Sequence, residues 1–243
     1  MAGEARYLAA GEAALVVEFG DAIDPAINRR VRELCLAVDR DTPEGVRDLV
    51  PTYRSLLVAY DPRVTTFDAL RARLAGLEAG LAHTPAPPPR VVEIPTAYGG
   101  EFGPDLAFVA EHNGLTPDDV VAIHAGTDYL VYMMGFSPGF TYLGGMSERI
   151  AAPRLKTPRT ACPAGSVGIA QQQTGIYPVE SPGGWQLIGR TPVSLFDPSR
   201  RPPVVVEAGD SIRFAPVSLD EYASIQDAIR RGAWTLRVRE KTA

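Results

Sequence analysis

The sequence is short of the residues that most often mark a catalyst acting alone. Its two cysteines, Cys35 and Cys162, lie far apart with no metal or redox spacing, and suit reduced thiols in a cytoplasmic protein. Its three histidines, His83, His112 and His124, are scattered, so no metal site is expected. There is no G-x-x-x-x-G-K-[ST] phosphate loop. Gly165-Ser166-Val167-Gly168 is not a G-x-S-x-G nucleophile elbow, because Ala164 stands where the first glycine belongs. These absences argue against a self-contained metallohydrolase, P-loop ATPase or serine hydrolase. An excess of positive charge is missing too. With 24 Lys+Arg against 29 Asp+Glu the net charge is −5, which argues against general nucleic-acid binding. No apolar run approaches the roughly 20 residues that span a bilayer. Glu4 and Arg6 interrupt the start, where a secretory signal would be apolar. A soluble cytoplasmic protein with no nucleic-acid or membrane partner is expected.

What is present is a chain of 243 residues, 45% hydrophobic, enough for one large or two small domains. The proline cluster from Ala82 to Arg90 reads as an extended linker between an N-terminal domain, residues 1–81, and a second domain, residues 91–243. Before the linker, strands are predicted at Ala13–Phe19, Gly45–Val50 and Ser55–Tyr60. Asp24-Pro25 opens a helix whose apolar stripe is Ile27, Val31, Leu34, Cys35 and Val38. Phe67, Leu70, Leu74, Leu77 and Leu81 mark a second. The order predicts a small α/β sandwich of two helices on an antiparallel sheet.

After the linker, strands are predicted at Val91–Ile94, Tyr129–Met134, Val167–Ala170, Gly175–Val179, Trp185–Gly189 and Trp234–Val238. Helices are predicted at Leu106–His112 and from Thr116 to His124, and after a Ser218/Glu221 capping box. Val204–Val206 and Ile212–Phe214 read as a hairpin turning at Ala208-Gly209-Asp210. Many short strands with peripheral helices predict a closed or nearly closed β-barrel.

The stretch from Gly135 to Pro192 is the candidate site. Its proline and glycine density excludes helix, and it is too long for an idle loop. Arg154, Lys156, Arg159, Ser166, Gln173, Thr174, Tyr177, Ser181 and Arg190 punctuate it, polar groups suited to a small anionic or amide ligand. Arg159 and Arg190 are the anion-binding candidates, with a structural salt bridge as the alternative. Ser166, Gln173 and Thr174 suit a lactam or carboxylate, or turn stabilisation. Lys156 and Tyr177 are further candidates. Gly165, Gly183 and Gly184 either form an anion-binding backbone nest or allow positive φ. Phe140 and Trp185 read as barrel walls. His124, at a predicted helix C-terminus that favours imidazolium, is either a proton carrier or a satisfied structural residue.

Gly135-Phe136-Ser137-Pro138-Gly139-Phe140-Thr141-Tyr142-Leu143, Pro158-Arg159 and Pro163-Ala164-Gly165-Ser166-Val167-Gly168 recur in order with Gln173-Thr174-Gly175-Ile176-Tyr177-Pro178, Ser181-Pro182-Gly183-Gly184-Trp185 and Ile188-Gly189-Arg190-Thr191. In these motifs the chain resembles the 5-oxoprolinase B-subunit family, also called the KipI family. The resemblance implies an α+β chain: a small N-terminal α/β sandwich, then a cyclophilin-like β-barrel. It implies a homologous C component and an A component as partners in a heteromer, and ATP-dependent opening of 5-oxoproline to glutamate. ATP, with magnesium, is then a cofactor that a partner could hold. His124, Arg159 and Arg190 are the catalytic candidates; Lys156, Ser166, Gln173, Thr174, Tyr177, Gly183 and Gly184 are the substrate-binding ones. The same resemblance leaves open a KipI-type inhibitor of a sensor histidine kinase and one half of a biotin-dependent urea-type carboxyltransferase. Gln171, Gln172, Lys156 and Cys162 depart from the family pattern.

Overall fold

A computed structural model of the chain describes residues 4–81 and 90–240. Two compact units emerge, Met1–Pro88 and Pro89–Ala243. The stretch read as a linker lies outside the described residues except for Arg90, which already belongs to a strand.

In the first unit, β1 (Arg6–Ala9), β2 (Ala14–Glu18), β3 (Val46–Pro51) and β4 (Ser55–Tyr60) form an antiparallel sheet in the order β1-β2-β4-β3. Helices α1 (Pro25–Arg40) and α2 (Phe67–Ala79) complete it. The Asp24 carboxylate accepts from the Ala26 and Ile27 amides at 2.7 and 3.1 Å, satisfying donors that the first helical turn leaves free. Strict alternation buries Leu15 and Val17 of β2 and Leu56 and Val58 of β4. They meet Val31, Leu34 and Val38 of α1 and Leu70 and Leu74 of α2 in one core. β1 is not among the predicted strands: Arg-Tyr-Leu-Ala buries no residue and so shows no alternation.

The second unit is a mixed α+β body around a nearly closed, barrel-like sheet. Its strands are β5 (Arg90–Tyr98), β6 (Tyr129–Met134), β7 (Thr141–Gly144), β9 (Ser166–Ala170), β10 (Gln173–Ile176), β12 (Gln186–Arg190), β13 (Ser211–Pro216) and β14 (Arg237–Glu240). The order is β10-β9-β12-β5-β13-β6-β7, with β14 also on β5. β10 lies beside β7, which brings the two ends together. A separate two-stranded piece joins β8 (Arg159–Cys162) and β11 (Ser181–Gly183). Helices α3 (Leu106–His112), α4 (Pro117–Ala125) and α5 (Leu219–Arg230) pack around the sheet. The Ser218/Glu221 capping box forms, with the Ser218 amide donating to Glu221 Oε2 at 2.7 Å. Val92, Ile94, Val131, Val167, Ile169, Ile176, Ile188 and Phe214 fill the interior.

The predicted hairpin at Ala208-Gly209-Asp210 does not form. β13 pairs parallel with β5 and antiparallel with β6, while Val204 makes only a bridge to Phe196. Gly209 N donates to Val131 O, and the Asp210 carboxylate takes Arg90 Nε and Nη2 at 2.9 and 2.6 Å. Long-range pairing overrides the local turn signal.

Candidate functional site

The Gly/Pro-rich stretch folds into short strands whose alternation separates two environments. Ile176 pairs with Val167 and Gly175 with Gly168 in the β10–β9 ladder. Val167 and Ile176 point into the core. Gly168 and Gly175 open the other face: a Cβ on either would stand 3.1 Å from Trp185. Two adjacent glycines thus let the Trp185 ring lie on the sheet. Gly183 has a like role, since a Cβ there would meet Tyr177 Oη at 2.2 Å. Neither Gly183 nor Gly184 has positive φ; Gly165 does, at +80°. Gly183 is clearance for the Tyr177 ring, whereas a Cβ on Gly184 would make only ordinary contacts with Pro158 and Leu155 O.

On this face Phe136, Phe140, Tyr142, Tyr177 and Trp185 wall a cavity of about 190 Å³. Phe140 meets Tyr142 edge-on at 5.2 Å and Trp185 at 6.0 Å, the offset geometry that ring quadrupoles favour. The residues of the lining with polar side chains are Gln173, Arg154, Tyr142 and Tyr177. Arg154 is exposed, its guanidinium carbon 6.0 Å from the Trp185 ring centre, and it makes no ion pair among the described residues. Burial pushes the Tyr177 phenol up to about 12, so it stays neutral, hydrogen-bonded with Cys162 and the Trp185 backbone. A neutral amide, a phenol and one guanidinium around aromatic walls suit a small ring carrying an amide and one anionic group.

Of the residues predicted for the site, Gln173, Tyr177, Gly183 and Gly184 come together here. Arg154 joins them, though in the sequence it stands out only as one polar group among many. Phe140 and Trp185, expected as barrel walls, line the cavity instead.

Other candidates stand elsewhere. His124 is fully buried, with Nδ1 2.8 Å from Tyr98 Oη and Nε2 2.7 Å from Thr174 Oγ1. Thr174 donates its own proton to Gly168 O at 3.2 Å, so it accepts from Nε2–H, and Nδ1 accepts from the Tyr98 phenol. The imidazole is neutral, because burial pushes its pKa down to about 3. The imidazolium expected at the helix end is thus overridden by desolvation, and His124 and Thr174 belong to the interior. Arg159 Nη2 reaches both oxygens of Asp105 at 2.8 Å, and Nη1 donates to Trp185 O. Asp105 also accepts from the Leu187 amide at 2.6 Å. This clamp ties the start of α3 to β12 and steadies Trp185, so Arg159 takes the salt-bridge alternative. Lys156 is exposed and lies outside the cavity lining. Arg190 lies over the Phe102 ring at 5.2 Å, and its buried Nε has no hydrogen-bond partner among the described residues. Ser166, its cross-strand neighbour, is buried, and its Oγ has no hydrogen-bond partner among the described residues.

Among the described residues no group of three or more His, Cys, Asp and Glu could hold a metal. No helix among them is long and apolar enough to cross a membrane. A nucleoside triphosphate does not fit the cavity's donors: one guanidinium and three neutral side chains do not match a polyphosphate, which needs several cationic or backbone donors.

The family model "Carboxyltransferase domain, subdomain C and D" matches residues 5–206, which span both units and the candidate cavity. The fold is shared with the Kluyveromyces lactis urea amidolyase (TM-score 0.77, 23% identity, 98% of this chain and 16% of that one). The protein TTHA0988 aligns at 40% identity and TM-score 0.75 over 84% of this chain and 39% of its own. The 5-oxoprolinase B subunit of Bacillus subtilis is 42% identical over 227 residues, 89% of this chain and 95% of the relative. The chain belongs to the 5-oxoprolinase B-subunit family.

Proposed function

We propose that this chain is the lactam-holding component of an ATP-dependent 5-oxoprolinase, which opens 5-oxoproline to glutamate together with a C and an A subunit. The observation that carries the reading is the aromatic cavity lined by Arg154, Gln173 and Tyr177 in a chain of this family. A lactam is a weak electrophile, so its ring opening needs a carbonyl held in one orientation. In this reading Arg154 holds the substrate carboxylate through a charge-assisted contact. Gln173 takes the lactam amide, and Tyr177 donates toward the ring carbonyl. The aromatic walls exclude water from the ring faces. Nucleotide belongs to a partner, since the cavity donors do not match it. Arg159 acts as a positioning residue through Trp185.

The test is ADP release from this chain mixed with its A and C partners, magnesium, ATP and 5-oxoproline. Release should require both the chain and 5-oxoproline. Arg154→Ala should lower kcat/KM by about 10- to 150-fold, the worth of a charged hydrogen bond of about 1.5–3 kcal/mol. A folded, assembled complex with no substrate-dependent release would sink the reading. Carboxyl transfer and kinase inhibition would then be tested next.

A further inference from the structure

We infer that Phe136 is a ligand-contacting residue, a wall of the cavity completed only when a small flat ring compound enters. The inference rests on the reading of the cavity as the lactam site. Phe136 has φ +67°, a left-handed conformation that glycine or asparagine adopts with less strain. Ser137 N donates to Gly135 O at 2.8 Å across it, forming the rare γ-turn of positive φ. Two further backbone bonds, Phe140 N to Ser137 O and Gly135 N to Phe140 O, lock the turn in place. A bulky residue therefore sits where it is disfavoured, and its surroundings hold it there.

The ring gains little within the chain in return. It is 77% exposed and meets only the edge of Phe140, at 5.6 Å, among the ring contacts of the described residues. An exposed phenyl ring on a strained backbone gives the free chain no reason to keep phenylalanine. The ring does line the cavity with Tyr142, Trp185 and Gly184. What enters the cavity therefore meets Phe136 and supplies the apolar contact it lacks. The occupant that fits is a five-membered ring with an amide: flat enough for ring faces, small enough for about 190 Å³, and polar at the Gln173 and Arg154 end.

The experiment uses the full chain in a Trp234→Phe background, leaving Trp185 as the fluorescent reporter in the cavity wall. Three probes are titrated: 5-oxoproline, 2-pyrrolidinone (the lactam without the carboxylate) and cyclopentanecarboxylate (the carboxylate without the lactam). Phe136→Ala should weaken all three by about tenfold, because it removes apolar contact and leaves the charged group in place. Phe136→Tyr should bind like the parent. Phe136→Gly should lose as much as Phe136→Ala although it relieves the strain. Unchanged affinity in Phe136→Ala, or recovery in Phe136→Gly, would overturn the inference. So would intact probe binding with failed assembly on the C partner, which would make Phe136 a partner anchor. If no probe binds the parent chain, the Phe136 contact is likewise overturned. ADP release by the assembled complex then judges the lactam reading separately. If release shows no need for 5-oxoproline while 2-pyrrolidinone and cyclopentanecarboxylate still lose affinity in Phe136→Ala, the contact stands and the substrate is a different small ring.

Discussion

The two faces of β9 and β10 carry similar residues to opposite ends. Inward, His124 is held between Thr174 and Tyr98, and the imidazole is neutral and enclosed. Outward, Gln173 and Tyr177 border a cavity with an exposed guanidinium at its rim. Residues adjacent in sequence, Gln173 and Thr174, therefore face the candidate cavity and the interior respectively. A polar group whose bonds are closed within the fold maintains shape. A cation at the mouth of a cavity is available to a ligand. The same contrast separates Arg159, fixed by Asp105, from Arg154.

The largest test of this division is His124→Ala. It should cost about 3 kcal/mol or more of unfolding free energy, since it opens a cavity, strands the Tyr98 hydroxyl and leaves Thr174 with Gly168 O alone. Denaturant unfolding measures it. A loss below about 1 kcal/mol would show that the inner network does not support the barrel. Ligand affinity at the outer cavity, measured on the folded fraction, should change far less.

His124 also sets a pH signature. Its pKa is near 6.5 unfolded and about 3 folded, so between those values the unfolded chain binds a proton that the folded chain refuses. Stability is full above about pH 6.5 and falls as pH drops, by up to about 1.4 kcal/mol per unit. The neighbouring phenols Tyr98 and Tyr129 are pushed upward by burial and stay protonated throughout. Unfolding curves from pH 7 to 5 should show the slope, and His124→Gln should flatten it. An equal slope in the variant would place the titrating group elsewhere.

The two arginines come next. Arg159→Ala should cost about 2 kcal/mol of stability by leaving Asp105 without its partner, somewhat screened because the pair is partly exposed. Arg154→Ala should change stability by less than about 0.5 kcal/mol and act instead on 5-oxoproline affinity. Thermal melts beside binding titrations separate the two. If Arg159→Ala weakened binding with an unchanged melt, the two roles would be reversed.

Much of this fold was legible because local signals were strong. Ser55–Tyr60, Leu106–His112 and Tyr129–Met134 appear with the predicted bounds. The caps at Asp24, Thr116 and Ser218 all form. The failures have physical causes. β7 hides in Thr-Tyr-Leu-Gly beside the turn-forming Gly135 and Gly139. β10 begins at Gln173 rather than at Gly175, whose missing side chain is the gap for Trp185 and marks no strand start. At the candidate cavity, sequence did not reveal how the polar residues of the segment sort between lining and scaffold. Whether an arginine is free or clamped depends on Asp105, far away in the chain, and no spacing within the segment reveals it.

The smallest effect expected is at Lys156, two residues from Arg154 and exposed. By composition the two are interchangeable anion binders, yet only Arg154 lies against Trp185 at the cavity. Lys156→Ala should leave both the melt and 5-oxoproline affinity unchanged within error, since exposed charges without a partner contribute little. The double variant with Arg154→Ala should match Arg154→Ala alone, because Lys156 adds nothing to lose. A further loss in the double variant would mean that Lys156 replaces the missing guanidinium, and that the rim selects its ligand by charge in the neighbourhood more than by one fixed contact.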